Sequence, residues 1–404
     1  MISVHEAERT LAAHQVDFPM DRVALDNAVG RVLRQTVVAD RDLPPYDRIT
    51  MDGIAVRATG ARQWRIVNTA LAGQPQQQVA DPATECMQVA TGGVLPAGCD
   101  AVVRIEDVNI TDGIARVADE VAIASGQNVH RQGADALVAT TVLGEGVRIG
   151  PTEIAALAST GCAQVTVSAI PKVAVVSTGD ELVEVAAIPE PHQIRRSNPD
   201  TVLAALRQRG IDAGAEVLPD DPDRLSAAVA DALARSDVLI TTGAVSMGSA
   251  DHLPRVFADN GIECYFHRVA QRPGKPLWVG GSAAGNRVFA LPGNPVSVVA
   301  CLYRYVLPFL DQAMGLVARA QLSARLADAF SFGPALALFL PIRLSIEDGQ
   351  LLAHPAPTGG SGDFLSLVGT DGIACLDSDV EVAADRFDAG TRVRVIPWQG
   401  PPWH

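Results

Sequence analysis

Residues 236–252 read SDVLITTGAVSMGSADH, an apolar run that breaks into small and hydroxyl residues and closes on an acid. Val238, Leu239 and Ile240 suit a strand buried on both faces, and residues 237–242 have strand length. The glycine-rich tail has two readings: a flexible turn, or a cradle whose backbone amides face a charged ligand. Its neighbours decide the fold around it. KVAVVS (172–177) is another β-branched run; Ser197 and Asn198 are placed to cap the helical PDTVLAALRQRG, which has Pro199 first and Gly210 as its stop. AEVLP (215–219) ends a strand, and Leu225, Val229 and Leu233 recur at helical spacing. A helix with Pro254 in its first turn follows Asp251; then RVFAL (287–291) runs into PGNP and the apolar VSVVACLYRYVLPFL. This alternation predicts a doubly wound, largely parallel α/β domain.

The flanks carry other patterns. WRIVNTAL, CMQVAT, AVVRIEDV and ARVADEVAI, within 62–130, are short strand-like runs broken by Gly, Pro and Asp-Gly, which predicts a small β-domain. MISVHEAERTLAAH predicts a surface helix, and GPTEIAALASTG a short one between glycines. From 335 onward, hairpin-like runs predict a terminal β-domain.

Composition narrows the function. Hydrophobic residues at 48% and charged residues at 19% exclude a disordered chain, and the apolar runs are too short or too interrupted to cross a bilayer. Six scattered cysteines without a CxxC pair predict reduced, mostly buried thiols in a cytoplasmic protein. A net charge of -14 and 4% aromatics argue against nucleic-acid partners. A small anionic ligand would need a local cluster of cations.

Such a cluster is visible once the fold is assumed. Ligands of open α/β sheets bind beyond the carboxyl ends of the strands. There the sequence places Thr178-Gly179-Asp180-Glu181, Pro219-Asp220-Asp221, the 241–251 stretch and Pro292-Gly293-Asn294-Pro295, with Arg272 and Lys275 flanking a Pro-Gly turn. Glu181, Asp220 and Asp251 beside Arg272 and Lys275 suit a bound anion with Mg²⁺. Each piece alone has a plainer reading: Asp251 as a helix cap, Asp220-Asp221 as a solvated loop, PGNP as a rigid turn. Phosphate-loop, HExxH and GxSxG motifs are absent.

Seven blocks in order, PPYDRITMDGIAV (44–56), TGGVLPAGCDAVVRIED (91–107), GQNVHRQGAD (126–135), STGDEL (177–182), TTGAVSMGSAD (241–251), RPGKP (272–276) and LPGNPVS (291–297), resemble the molybdopterin molybdenumtransferases. The resemblance implies four domains: 1–45 with 136–168 as a discontinuous helical and linker domain, 46–135 as a β-domain, 169–320 as the α/β molybdopterin-binding domain, and 321–404 as a β-barrel-like domain. It implies a homodimer that inserts molybdate into adenylylated molybdopterin with Mg²⁺ and releases AMP. Transient contact with the upstream adenylyltransferase and recipient molybdoenzymes would accompany that role. The cleft would lie between the α/β domain of one subunit and the β-domain of the other.

On that basis Asp52, Glu181, Asp251 and Lys275 are the expected catalytic residues. Glu181, Asp220 and Asp251 are expected at Mg²⁺. Substrate would be held by Thr91, Arg131, Asp135, Thr178, Gly179, Asp180, Asp220, Gly243, Ser246, Arg272, Pro292, Gly293, Asn294, Pro295 and Ser361. The sequence departs from the usual pattern at Ile54 (commonly Tyr), His130 (Arg), Ala134 (Glu), Ala244 (Gly) and Arg272 (Lys). A non-catalytic cofactor carrier and a pterin adenylyltransferase are the competing readings; the retained acids argue against the first, and the flanking β-domains against the second.

Overall fold

In a computed structural model of the chain, residues 1–243, 252–318, 320–334, 336–376 and 386–399 are described. Ala244, Ser246 and Asp251 lie outside them.

The β-branched runs of the middle region form one six-stranded sheet, in the spatial order Gly214–Leu218, Val173–Thr178, Val238–Thr242, Arg287–Leu291, Trp278–Ser282, Ile262–His267. The first four strands are parallel. Val173–Thr178 and Val238–Thr242 are buried at every position, as strands covered on both faces must be. The chain moves outward from Val173–Thr178 and then crosses to its other side. The switch point of the sheet therefore falls between Val173–Thr178 and Val238–Thr242, where both loops carry glycine. Two strands that the alternating pattern did not announce, Ile262–His267 and Trp278–Ser282, add an antiparallel edge.

Local signals set most helix boundaries. Asp221 accepts the Arg224 amide and caps Pro222–Arg235, whose buried face is Leu225, Val229 and Ala232, with Leu233 half-buried. The expected caps at 197–198 do not form: Ser197 makes no capping hydrogen bond, and Asn198 is used elsewhere. The long apolar helix is interrupted. Pro295–Cys301 and Leu307–Ala313 are α-helical, but Leu302–Val306 widens into a π turn just before Pro308, whose ring cannot accept an ordinary preceding turn.

The N-terminal helix Val4–Ala13 starts with a capping box between Ser3 and Glu6. It is more than a surface helix: Val4, Ala7 and Leu11 join the buried cluster of Val173, Val175 and Phe289. Segments far apart in sequence build the next core, as Met20–Ala24 pairs with Gln164–Ser168 and Val37–Val38 with Thr141–Leu143. The predicted β-domain is a curled six-stranded sheet in the order Ala101–Arg104, Gly53–Val56, Glu85–Val89, Gln63–Ala70, Ile114–Val117, Val108–Thr111, with an apolar cluster on each face. Ile54 is fully buried in one of them.

At the C-terminal end, Ala337–Glu347, Gln350–Pro355, Leu322–Leu326, Arg392–Pro397 and Gly372–Leu376 close into a five-stranded barrel. Gln271–Arg272 adds a short parallel strand to it, Gln271 opposite Ala337 and Arg272 opposite Leu338. The turn predicted to carry the cations is thus the seam between sheet and barrel. All six cysteines are free; Cys86, Cys301 and Cys375 are buried, Cys99 and Cys162 half-buried, and Cys264 is exposed. No helix among the described residues is long and apolar enough to cross a membrane.

Candidate active site

The carboxyl ends of Val173–Thr178, Val238–Thr242 and Arg287–Leu291 open onto a cleft of ≈ 1460 Å³, walled on the far side by the barrel. Of the residues expected from the sequence, Thr178, Gly179, Glu181, Asp220, Gly243, Arg272, Lys275, Pro292, Gly293, Asn294, Pro295 and Ser361 line it. Asp180 is tied to the same loops by accepting the Asp220 amide at 3.1 Å, but it does not form part of the lining.

Backbone geometry explains two of the glycines. Gly243 has φ +97°, and a Cβ there would stand 2.6 Å from the Thr178 carbonyl oxygen. Gly179 has φ +152°, and a Cβ would meet the Glu181 carboxylate at 2.9 Å, so that carboxylate folds back over the bare backbone. The PGNP turn is fixed from both sides. Asn198 Nδ2 donates to the Gly293 carbonyl at 2.7 Å, and Asn294 Nδ2 donates to Ser361 Oγ at 2.7 Å. Asn294 stands at the N-cap of Pro295–Cys301 without capping it, because its side chain is spent on the barrel. The Val296 amide bonds the Ser361 carbonyl at 3.1 Å.

Charge in the cleft is unevenly satisfied. Arg196 is shared between Glu184 at 3.2 Å and Asp200 at 3.5 Å. Arg272 and Lys275 are exposed to the cleft and form no ion pair among the described residues. Asp220 is the acid of the cleft whose carboxyl is shifted. Burial pushes its carboxyl up from 3.8, and Asp180 and Glu181 push the same way; Thr178 and His252 oppose them. Among the described residues, buried Asp220 Oδ1 and Thr178 Oγ1 have no hydrogen-bond partner, so the hydroxyl's approach stops short of a bond. A buried unpaired acceptor costs about 1–3 kcal/mol, which a ligand or cation would recover. No cluster of three His, Cys, Asp or Glu side chains among the described residues is arranged to hold a metal unaided. Mg²⁺ commonly takes one or two carboxylates and completes its shell with substrate oxygens and water, and the crowding of Asp220 by Glu181 and Asp180 fits that demand.

Asp52, Thr91, Arg131 and Asp135 collect in a corner of the N-terminal β-domain and do not line this cleft. Asp52 accepts from the Thr91 amide at 2.7 Å and hydroxyl at 2.8 Å, and these bonds hold its carboxyl below the ordinary range. Arg131 pairs with Asp47 at 2.7 Å, and His130 Nε2 lies 2.8 Å from Asp135 Oδ1. The sequence reading missed Arg195, Asn198 and Gln271 as cleft residues. Asn198 could have been suspected, since two consecutive capping residues before Pro199 leave one of them free.

Comparison with known proteins now adds to the geometry. Residues 2–161 match the MoeA N-terminal region (domain I and II), 174–312 a probable molybdopterin binding domain, and 323–398 the MoeA C-terminal region (domain IV). A molybdopterin molybdenumtransferase of Synechocystis is 36% identical over 379 residues, covering 92% of this chain and 94% of the relative. The chain belongs to the molybdopterin molybdenumtransferase family. A second member of the molybdopterin molybdenumtransferases, from Synechococcus elongatus, is 32% identical, with 98% of this chain and 99% of the relative covered. The crystal structure of a molybdopterin biosynthesis moeA protein from Pyrococcus horikoshii superposes with a TM-score of 0.82 at 26% identity, covering 98% of this chain and 99% of that one. Within the molybdopterin molybdenumtransferase chain described here, the cleft lies where the molybdopterin binding domain meets the C-terminal barrel.

Proposed function

We propose that this chain inserts molybdate into molybdopterin, taking the adenylylated pterin as substrate and releasing AMP. The observation that carries this reading is one cleft lined by two cations, Arg272 and Lys275, that form no ion pair among the described residues, and by Asp220, whose buried Oδ1 has no hydrogen-bond partner there. Molybdate is a dianion and the pterin substrate carries phosphate, so a globally acidic protein must present cations locally to hold either. The glycine-lined loops at 178–179, 243 and 292–295 let the backbone approach phosphate oxygens closely.

The exchange conserves oxidation state. Two Mo–S bonds form at the pterin dithiol and one oxide leaves with the two thiol protons as water, while one water is consumed in hydrolysing the phosphoanhydride between the pterin phosphate and AMP. Soft sulfur ligands for the metal come from the substrate, so the chain itself needs no Cys or His at the site. Its residues supply placement and charge stabilisation: Arg272 and Lys275 hold the anions, while Asn198, Asn294 and Ser361 fix the PGNP wall. Glu181 and Asp220 would hold Mg²⁺, which when bound neutralises phosphate charge between protein and substrate oxygens. Asp251 remains a candidate third ligand.

The Asp52–Thr91 corner enters through a homodimer. Exposed and outside the lining of its own cleft, it would complete the cleft of a second copy. A cytoplasmic location fits six free cysteines. Transient docking with the upstream adenylyltransferase and recipient molybdoenzymes follows from the reactivity of what is received and passed on.

The test combines purified protein, adenylylated molybdopterin, Mg²⁺ and molybdate, and measures AMP together with reconstitution of a cofactor-free molybdoenzyme. AMP release that requires both Mg²⁺ and molybdate is the expected result. Pterin binding without AMP release would overturn it in favour of a carrier.

A further inference from the structure

The turn that presents Arg272 and Lys275 has no regular secondary structure of its own beyond two strand residues, yet its shape is closely determined. At its centre lies Gln271, a fully buried amide. Its Nε2 is within hydrogen-bonding distance of the Pro273 carbonyl at 3.2 Å, the Gly274 carbonyl at 3.3 Å and Cys301 Sγ at 3.5 Å. Its Oε1 accepts from the Tyr305 hydroxyl. The two carbonyls belong to the residues between Arg272 and Lys275, so one side chain gathers the backbone that spaces the two cations.

The surroundings leave the turn little room to relax. Gly274 has φ +92°, and a Cβ there would meet Cys301 Sγ at 2.5 Å and Gln271 Nε2 at 2.7 Å. The Cys301 thiol also lies 3.7 Å from the Gly274 carbonyl. The Val269 amide donates to the Lys275 carbonyl at 3.0 Å, closing the loop around the Gln271 side chain. Tyr305 belongs to the π turn Leu302–Val306 and is buried, and burial raises its phenol well above the ordinary range, so it stays a donor. The widened turn therefore has a use: it places a hydroxyl against the Gln271 carbonyl.

We propose that Gln271, oriented by Tyr305, is a positioning residue that sets the spacing of Arg272 and Lys275 for the anionic part of the substrate. The inference rests on the functional reading above only for the identity of that anion. Removing the amide while keeping its volume takes away the side-chain donor to the Pro273 carbonyl and leaves the Gly274 carbonyl with the Leu277 amide at 3.2 Å. The backbone between the cations then loses the group that ties its two carbonyls together.

Three variants test it: Gln271→Met, Tyr305→Phe and the double substitution. Inorganic pyrophosphate is the binding probe, read by calorimetry on the full chain, and steady-state turnover is the second readout. Each single variant should weaken pyrophosphate binding about tenfold and raise KM for the pterin substrate in the same proportion, with a smaller fall in kcat. The double variant should be no weaker than Q271M, because the two residues act as one unit. Unchanged pyrophosphate affinity in variants that still melt cooperatively would overturn the proposal, as would additive effects in the double variant. Should Q271M fail to fold, Tyr305→Phe, which only deletes a hydroxyl, decides on the same criterion. A wild-type chain that does not bind pyrophosphate also overturns it. Pyrophosphate binding without turnover removes the transferase reading and leaves the positioning role standing.

Discussion

The α/β cleft and the corner of the N-terminal β-domain both bring acids next to hydroxyls and cations, but they are satisfied to opposite degrees. In the corner, Asp52 is served by Thr91, Asp47 by Arg131 and the Gln132 amide, Asp42 by Gln132 and the Val138 amide, and Asp135 by His130. Among the described residues of the cleft, Asp220 Oδ1 and Thr178 Oγ1 lack partners, and Arg272 and Lys275 form no ion pair. Their environments shift the two acids in opposite directions: solvent-exposed hydrogen bonds lower Asp52, while burial beside other acids raises Asp220. An acid completed by its own chain can act only on a surface brought to it, whereas an acid left incomplete waits for a ligand. The cleft is therefore the place where binding energy is available, and the corner is a preformed surface.

The largest effect expected from breaking this contrast comes from the cations. Lys275→Ala should lower kcat/KM about 10³-fold, since a charge-assisted contact is removed where no other group replaces it. Turnover within a few-fold of wild type would move the anion site elsewhere.

Asp220→Asn comes next, with activity and stability moving in opposite senses. Turnover should fall about 10²-fold. The thermal midpoint at pH 7 should rise, because a carboxyl raised in the folded state contributes its full stability below 3.8 and loses it as pH climbs through the folded value. The gain from the amide should therefore shrink as pH falls toward 3.8. A midpoint that drops at pH 7 would show that the charge of Asp220 is already compensated without ligand. Asp52 runs the other way: its lowered carboxyl contributes above 3.8, and that contribution is lost as pH falls through the folded value.

Asp52→Asn sharpens the comparison by asking whose cleft the corner serves. Its turnover should fall about tenfold or more. Mixing Asp52→Asn with Asp220→Asn subunits should restore about a quarter of wild-type turnover, because random pairing leaves one intact site in half of the dimers. No recovery after subunit exchange would confine Asp52 to its own chain.

Ser361→Ala should have the smallest effect. It deletes the bond from Asn294 between sheet domain and barrel, worth about 0.5–1.5 kcal/mol, and should change KM no more than a few-fold. A large loss of kcat instead would place the Ser361 hydroxyl on the substrate.

Legibility followed the range of each interaction. The three inner parallel strands were readable because they are buried on both faces and therefore mostly apolar, whereas the edge strand Gly214–Leu218, half-buried at best, was readable from its place between two helical segments. Ile262–His267 (IECYFH) and Trp278–Ser282 (WVGGS) were not, since edge position and glycine blur both patterns. Asp220-Asp221 read as a solvated loop, and nothing local separated Asp221, which caps the following helix, from Asp220, whose neighbours Asp180 and Thr178 lie about forty residues away. Gln271 was invisible: a glutamine next to Arg272 looks like surface, and it is Tyr305, Cys301 and the barrel strand, all distant in sequence, that surround it.

By itself the sequence determined the alternation of strand and helix, the glycines that loops need, and a set of charged residues at the ends of strands. Periodicity, backbone freedom and charge are properties of short segments, so they survive in one dimension. The tertiary structure alone decided that the cation turn becomes a strand of the barrel, that Asn294 gives up its cap to reach Ser361, and that Asp220 is left with an unpaired oxygen. Burial and hydrogen-bond satisfaction depend on what the rest of the chain brings within a few ångströms, and no local pattern records that.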